Sequence, residues 1–410
     1  MEDYHPRWLE PRINEALSDT RVVLLNGARQ TGKSTLAEAL AKARGGRYLT
    51  LDEPTRLAAA TADPVAFIDT NHRFMVIDEV QRAPGLFSAI KQSVDRRKQP
   101  GRFLLTGSAD IFLLPDISES LAGRMEVLSL QPLAQGELSH AEPDFIRRLL
   151  ANDLPDRAQH FNQSELSARI VGGGFPEALS RKRADRRHAW FDAYVTTITQ
   201  RDIRQLSNIE GLTELPRLLS LLAVRSGALA NVAELARAVS IPQVTLHRYL
   251  TLLQTTFLYQ PVSAWHANLG KRLIKAPKMY LLDSGLACVL GSTAAVALPD
   301  APHYGGLLET FVLGELRRIA AGMATPPEIF HYRSTGGVEV DFVVEDDAAN
   351  VIGVEVKANR SLGKRHFSGL HELEATLGKR FKCGVVLYGG EELVRFGPRL
   401  WAAPMSLLWG

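Results

Sequence analysis

Over the first 140 residues, apolar positions fall in short runs separated by stretches of helical spacing. RVVLLNG (residues 21–27) reads as a strand buried on both faces, and TLAEALAKA (residues 35–43) as a helix. RYLTLD (47–52), RFMVIDE (73–79) and RFLLTGS (102–108) are further strands, each ending in polar residues, and MEVLSLQPL (125–133) adds one more. Strands alternating with helices in this way predict an α/β fold with a parallel sheet. From 141 to 220 the pattern is helical, rich in Arg and Leu, and broken by Gly172, Gly173, Gly174 and Pro176.

The rhythm then changes. In NVAELARAV (231–239), Asn231 is a helix N-cap with Glu234 three residues on, the capping-box spacing. Ser240-Ile241-Pro242-Gln243 repeats the start signal before VTLHRYLTLL. Two short helices, followed by FLYQPV and KMYLLD as wing strands, predict a winged helix-turn-helix. The Pro-containing stretch 298–303 reads as a linker. Beyond it LLETFVLGELRRIAA is helical, and HYRSTGGVEVDFVVE, NVIGVEVKA and CGVVLYG are strands of a second α/β domain. The expected organisation is a parallel α/β domain over 1–140, a helical linker or lid over 141–220, a winged helix over 221–297 and a second α/β domain over 298–410. A length of 410 residues agrees with several cores rather than one.

Composition narrows the class without naming a function. With 45% apolar and 23% charged residues the chain is of ordinary globular type. Its two cysteines, Cys288 and Cys383, sit in apolar runs, which points to a reducing, cytoplasmic compartment without disulfides or a cysteine metal site. No apolar run reaches membrane-spanning length. The net charge of +3 is uneven: residues 177–280 hold 15 Lys/Arg against 7 Asp/Glu and leave the remainder acidic. This basic middle is either a polyanion contact, with DNA the expected partner, or a solvated helical face.

The chemistry concentrates in two places. Gly27-Ala28-Arg29-Gln30-Thr31-Gly32-Lys33-Ser34 fits G-x-x-x-x-G-K-[ST] between a predicted strand and a predicted helix. Backbone N–H groups of residues 27–35 would cradle phosphates, Lys33 would reach the β- and γ-phosphates of ATP, and Ser34 would ligate Mg²⁺. Asp78 ends the strand FMVID and would hold the magnesium through water, while Glu79 is the expected base for the attacking water. Thr106 and Ser108 are either γ-phosphate sensors or strand-end caps. Arg124 in SLAGR is either a trans-acting arginine finger, which implies a homo-oligomer, or one half of a structural ion pair; Arg29 is a weaker candidate for the finger.

The second place is C-terminal: Glu309 on a helix, Asp341 on one strand, and Glu355 and Lys357 on one face of the next. Carboxylates converging with a lysine suit one or two Mg²⁺ ions, with Asp341 and Glu355 as ligands and Lys357 orienting a water for phosphodiester attack. The alternative is a set of strand charges paired with one another. Glu339 shares the face of Asp341 and is a possible substitute, whereas His331 and His366 read as packing or surface residues.

GARQTGKST, VIDEVQ, TGSAD, LAGR, GGFPEAL and YVTTITQRDI, in this order, resemble bacterial and archaeal AAA-type ATPases that carry a C-terminal restriction-endonuclease-like domain. The resemblance spans essentially the whole chain. It implies a RecA-like or AAA core, a winged helix and a PD-(D/E)XK nuclease fold. It assigns phosphate binding to Gly32, Lys33, Ser34 and Thr35, and the second nucleotide motif to Asp78 and Glu79. Glu309, Asp341, Glu355 and Lys357 match its nuclease signature. Two functions follow as expectations: an ATP-driven enzyme acting on DNA, possibly branched, or a nucleotide-controlled switch whose C-terminal domain only binds.

Overall fold

The computed structural model describes residues 4–69, 72–108, 121–155, 158–203 and 212–410. They form two compact bodies, one of Arg7–Pro132 with Leu253–Leu258, the other mainly of Leu133–Leu252 and Tyr259–Gly410.

In the first body, strands β1 (Val22–Asn26), β2 (Arg47–Thr50), β3 (Met75–Asp78), β4 (Phe103–Thr106) and β5 (Met125–Ser129) make one sheet in the order β2-β3-β4-β1-β5. Every pairing is parallel. Parallel strands are covered by helices on both faces, so they read as unbroken apolar runs. β1, β3 and β4 are buried at every position. Val22, Leu24, Met75, Ile77, Phe103 and Leu105 pack with Leu86, Phe87 and Ile90 of the helix Gly85–Arg96. The chain leaves β1 for β2 by crossing over two strands, and the crevice beyond the carboxyl ends of the strands at that point is where such sheets bind ligands.

The second body contains a hairpin, β6 (Tyr259–Val262) against β7 (Lys278–Leu281), and a six-stranded mixed sheet. The sheet order is β12-β13-β11-β10-β9-β8, from β8 (Glu328–Arg333), β9 (Glu339–Glu345), β10 (Val351–Lys357), β11 (Phe381–Tyr388), β12 (Val394–Gly397) and β13 (Leu400–Pro404). β8, β9 and β10 pair antiparallel, then β10 with β11 and β11 with β13 parallel. The helix Ser368–Leu377 crosses between β10 and β11, burying Leu370 and Leu373 against Val343, Val351 and Phe381. The helix Tyr304–Gly322 precedes β8 and packs against β10. Three helices, Leu215–Val224, Val232–Ala238 and Gln243–Thr255, lead into the hairpin, and Leu229 bridges to Lys278 beside it.

The stretch 298–303, expected as a linker, differs. It overlaps a 3₁₀ turn, Ala295–Asp300, and Leu298 is fully buried, because a proline is compatible with a tight turn as well as with an extended tether. Among the described residues no helix is long and apolar enough to cross a membrane.

The glycine run that breaks the helical segment has a specific cause. Gly173 ends the helix Gln163–Gly172 at φ 64°, ψ −153°, a region open essentially to glycine alone. A Cβ there would lie 2.2 Å from Asp283 Oδ1. The buried Asp283 carboxylate accepts from Gly174 N at 2.8 Å and caps the helix Ser284–Leu290 through Leu286 N at 3.1 Å. Gly173→Ala is therefore expected to destabilise the chain by about 2 kcal/mol or more, read as a lower urea midpoint; an unchanged midpoint contradicts this account of the turn.

Candidate functional site

The loop after β1 closes tightly. Gly27 has φ 141°, and a Cβ on it would meet Leu130 O at 2.3 Å, so only glycine lets the backbone pass β5's continuation. Thr31 Oγ1 donates to Ala28 O at 3.0 Å, which sets the curl. Arg7 braces it from the N-terminal side, donating to Thr31 O at 2.8 Å and Gln131 O at 2.7 Å. The helix Lys33–Ala43 then begins with Lys33, Ser34 and Thr35 in its first turn, where N–H groups have no intrahelical acceptor.

Lys33 folds back over the loop and donates to Gly27 O at 2.9 Å and Ala28 O at 2.7 Å. Burial lowers its ammonium from 10.5 to about 8, against the pull of Glu79 and Asp78. Asp78 collects three hydroxyls. Ser34 Oγ reaches its Oδ1 at 2.9 Å and Thr106 Oγ1 the same oxygen at 2.5 Å, while Tyr48 OH reaches Oδ2 at 2.9 Å. Burial, then the Asp78 charge, raise the Tyr48 phenol well above its usual range, so it remains a donor. Glu79 sits at φ 58°, its N–H donating to Thr106 Oγ1 at 3.1 Å. Its Oε2 accepts from Ser108 Oγ at 3.1 Å and from the Gln81 amide.

The structure thus gathers Gly27 to Thr35, Asp78, Glu79, Thr106 and Ser108 at one end of the sheet. It adds Tyr48, Gln81 and Arg7, which spacing alone does not mark. The set suits a phosphate ligand with Mg²⁺: Ser34 Oγ and Asp78 Oδ1 already lie at hydrogen-bond distance, the donor pair a water-coordinated divalent ion needs. Arg124 lies apart from these contacts: Nε and Nη2 hold Asp95 bidentately at 2.6 and 2.9 Å. Arg29 is half-buried in the loop. Ala109 and Asp110 of TGSAD fall outside the described residues.

In the second body Glu309, Asp341, Glu355 and Lys357 also converge, the last two on one face of β10 by strand alternation. Lys357 Nζ reaches Glu355 Oε1 at 2.5 Å, Asp341 N reaches Glu355 Oε2 at 3.3 Å, and Val356 N reaches Asp341 Oδ2 at 3.0 Å. An unexpected residue sits among them. Lys278 of β7, only 4% exposed, places its ammonium 2.9 Å from Asp341 Oδ1 and 3.1 Å from Glu309 Oε2. Tyr280 OH adds a 2.7 Å bond to Glu309 Oε2. Burial, then the charge of Asp341, push the Glu309 and Glu355 carboxyls upward, with Lys278 and Lys357 opposing. Among the described residues no three His, Cys, Asp or Glu side chains group as a metal site. As these side chains stand they do not fit a divalent ion. Glu339 faces Arg333 instead, at 3.3 Å. His331 bonds Ala276 O at 3.1 Å and His366 bonds Gly363 N at 2.9 Å, both packing or turn roles. A lysine in the apolar strand KMYLL was the one sequence signal for the missed cation.

Comparison with known proteins places these sites in context. Residues 19–139 match the AAA domain. Residues 163–296 and 304–408 match two domains of unknown function, DUF8612 and DUF4143. The chain is 32% identical over 366 residues to uncharacterized proteins of Mycobacterium tuberculosis and Mycobacterium bovis, covering 88% of this chain and 76% of each relative. Among solved structures it is similar to the Walker-type ATPase of Pyrococcus abyssi, with a TM-score of 0.44 and 16% identity over 70% of this chain and 96% of that one.

The Lys33 environment makes a pH prediction. An ammonium near 8 is half discharged at pH 8, and a phosphate ligand restores its charge, so affinity falls as pH rises through 8. Calorimetry of ATP binding at pH 8 in two buffers of different ionisation heat should show uptake of roughly half a proton, absent in Lys33→Met. Equal heats in both buffers contradict it.

Proposed function

The chain belongs to the same family as the uncharacterized mycobacterial proteins and carries an AAA domain at residues 19–139, and from that premise we propose that it binds ATP with Mg²⁺ and hydrolyses it. The observation that carries this reading is the Ser34–Asp78 hydrogen bond beside the loop, with Glu79 next in the chain. Ser34 and Asp78 would hold Mg²⁺, which would supply charge neutralisation at the phosphates. Lys33 moves from the Gly27 and Ala28 carbonyls to phosphate oxygen, the loop N–H groups orient the chain of phosphates, and Glu79 takes the proton of the attacking water at a carboxylate oxygen. Thr106 and Ser108 fix Asp78 and Glu79 in place.

Two uses of that turnover are open to the chain. One is action on DNA: the basic middle, and the three helices leading to the β6-β7 hairpin in winged-helix order, support a polyanion contact. The order helix–β8–β9–β10–helix–β11, with Glu309, Asp341 and Glu355-Val356-Lys357 at its centre, supports a restriction-endonuclease-like fold for the second body. The other is a nucleotide-controlled switch whose C-terminal body binds rather than cuts, and the ion pairs from Lys278 favour it. The bidentate Arg124–Asp95 pair supports the structural role for that arginine, so a homo-oligomer would draw its trans-acting group from elsewhere.

Lys33→Ala should abolish ATP hydrolysis in a folded chain, and retained turnover would overturn the assignment. Glu79→Gln should keep ATP affinity yet slow turnover on the order of 10²-fold or more; a normal rate moves the base elsewhere. Anisotropy with linear and branched duplexes should give an affinity that drops steeply between about 50 and 200 mM salt, as release of counterions requires. Binding indifferent to salt removes the basic middle as the contact.

A further inference from the structure

Two buried carboxylates, Asp341 and Glu355, with the half-buried Glu309 beside them demand a compensating cation, and in a nuclease-like site that cation is ordinarily a metal. Here it is supplied by the chain. Five of the six oxygens of Glu309, Asp341 and Glu355 accept hydrogen bonds: Glu309 Oε2 from Lys278 and Tyr280, Asp341 Oδ1 from Lys278 and Oδ2 from Val356 N, Glu355 Oε1 from Lys357 and Oε2 from Asp341 N. A magnesium or manganese ion needs carboxylate oxygens at about 2.1 Å with room for several waters. The ammonium of Lys278 bridges Glu309 and Asp341 and fills the space that an ion shared by those two carboxylates would need. From the other side the turn at Gly227 closes in, such that a Cβ on it would lie 2.8 Å from Glu309 Oε2.

The lysine is anchored as well as paired. β7 is bonded to β6 along its length, Gly227 N donates to Met279 O at 2.8 Å, and Met279 N donates to Ala228 O at 2.9 Å. One residue earlier, Ala230 N donates to Pro277 O at 2.8 Å. The adjoining segment is tied to β8 by Lys275 Nζ on Arg333 O at 3.1 Å and by His331 on Ala276 O. The backbone that carries Lys278 is therefore fixed, and its buried side chain keeps the ammonium on the two carboxylates.

We propose that Lys278 is the resident cation of this cluster, a tethered ammonium in place of a divalent metal, which makes the cluster a closed ion-paired junction between β7 and the mixed sheet. The inference deepens the switch reading of the C-terminal body and rests on it. It also accounts for charge: Lys278 and Lys357 offset two of the three carboxylates, and deleting Lys278 leaves two uncompensated. Such a deletion opens a cation site where none exists.

The test is Mn²⁺ binding by electron paramagnetic resonance on the full chain without nucleotide, so that a negative result bears on Lys278 and leaves the ATPase reading untouched. Wild type should bind no Mn²⁺ that depends on Asp341. Lys278→Met should gain one site at least ten-fold tighter than any binding in wild type, lost again in Lys278→Met/Asp341→Asn, and Mn²⁺ should raise its melting temperature but not that of wild type. Wild-type Mn²⁺ binding that vanishes in Asp341→Asn overturns the proposal, as does a folded Lys278→Met that gains no site. If Lys278→Met does not fold, the comparison of wild type with Asp341→Asn decides alone.

Discussion

A carboxylate taken out of water must be compensated, and the two sites differ in how that is done. Asp78, 3% exposed at the end of β3, is satisfied by the hydroxyls of Ser34, Thr106 and Tyr48. Hydroxyls are neutral and rotate, so they hold the carboxylate in place while leaving its charge available to a cation. Asp341, 7% exposed on β9, is satisfied by an ammonium. That partner cancels the charge and fills the space. The first arrangement leaves the carboxylate charge for a cation to use, and the second neutralises it within the chain.

The hydroxyl arrangement also organises the first body. Its three donors come from the loop helix, from β4 and from β2, so one carboxylate links the phosphate loop to three strands of the sheet. Glu79 inherits its place from the same network, because Thr106 bonds both the Asp78 side chain and the Glu79 N–H. In the second body the corresponding tie is ionic: Lys278 joins the β6-β7 hairpin to Glu309 on its helix and to Asp341 on β9. Breaking a buried pair of this kind is costly because it strands the remaining charge, so the tie is firm without being a catalytic device.

Much of this was legible in the sequence, for physical reasons. The strands of the first body are buried on both faces and read as apolar runs, and the phosphate loop is contiguous, so spacing reveals it. Glu355 and Lys357 share a face because strand alternation is strict. Partners distant in the chain were not legible: Tyr48 lies 30 residues from Asp78, and Lys278 lies 63 from Asp341. Parity also misleads at strand ends. Glu339 has the phase of Asp341 yet turns to Arg333, since at the first residue of β9 a charge nearer solvent has a cheaper partner. Arg124 was a two-way choice that only the position of Asp95 could inform.

The contrast between the two carboxylates is tested most directly by counting Mn²⁺ bound together with a non-hydrolysable ATP analogue, by electron paramagnetic resonance, in wild type, Asp78→Asn and Asp341→Asn. One Mn²⁺ in wild type, lost in Asp78→Asn and kept in Asp341→Asn, is the expected result. A metal that survives Asp78→Asn and disappears in Asp341→Asn would contradict it.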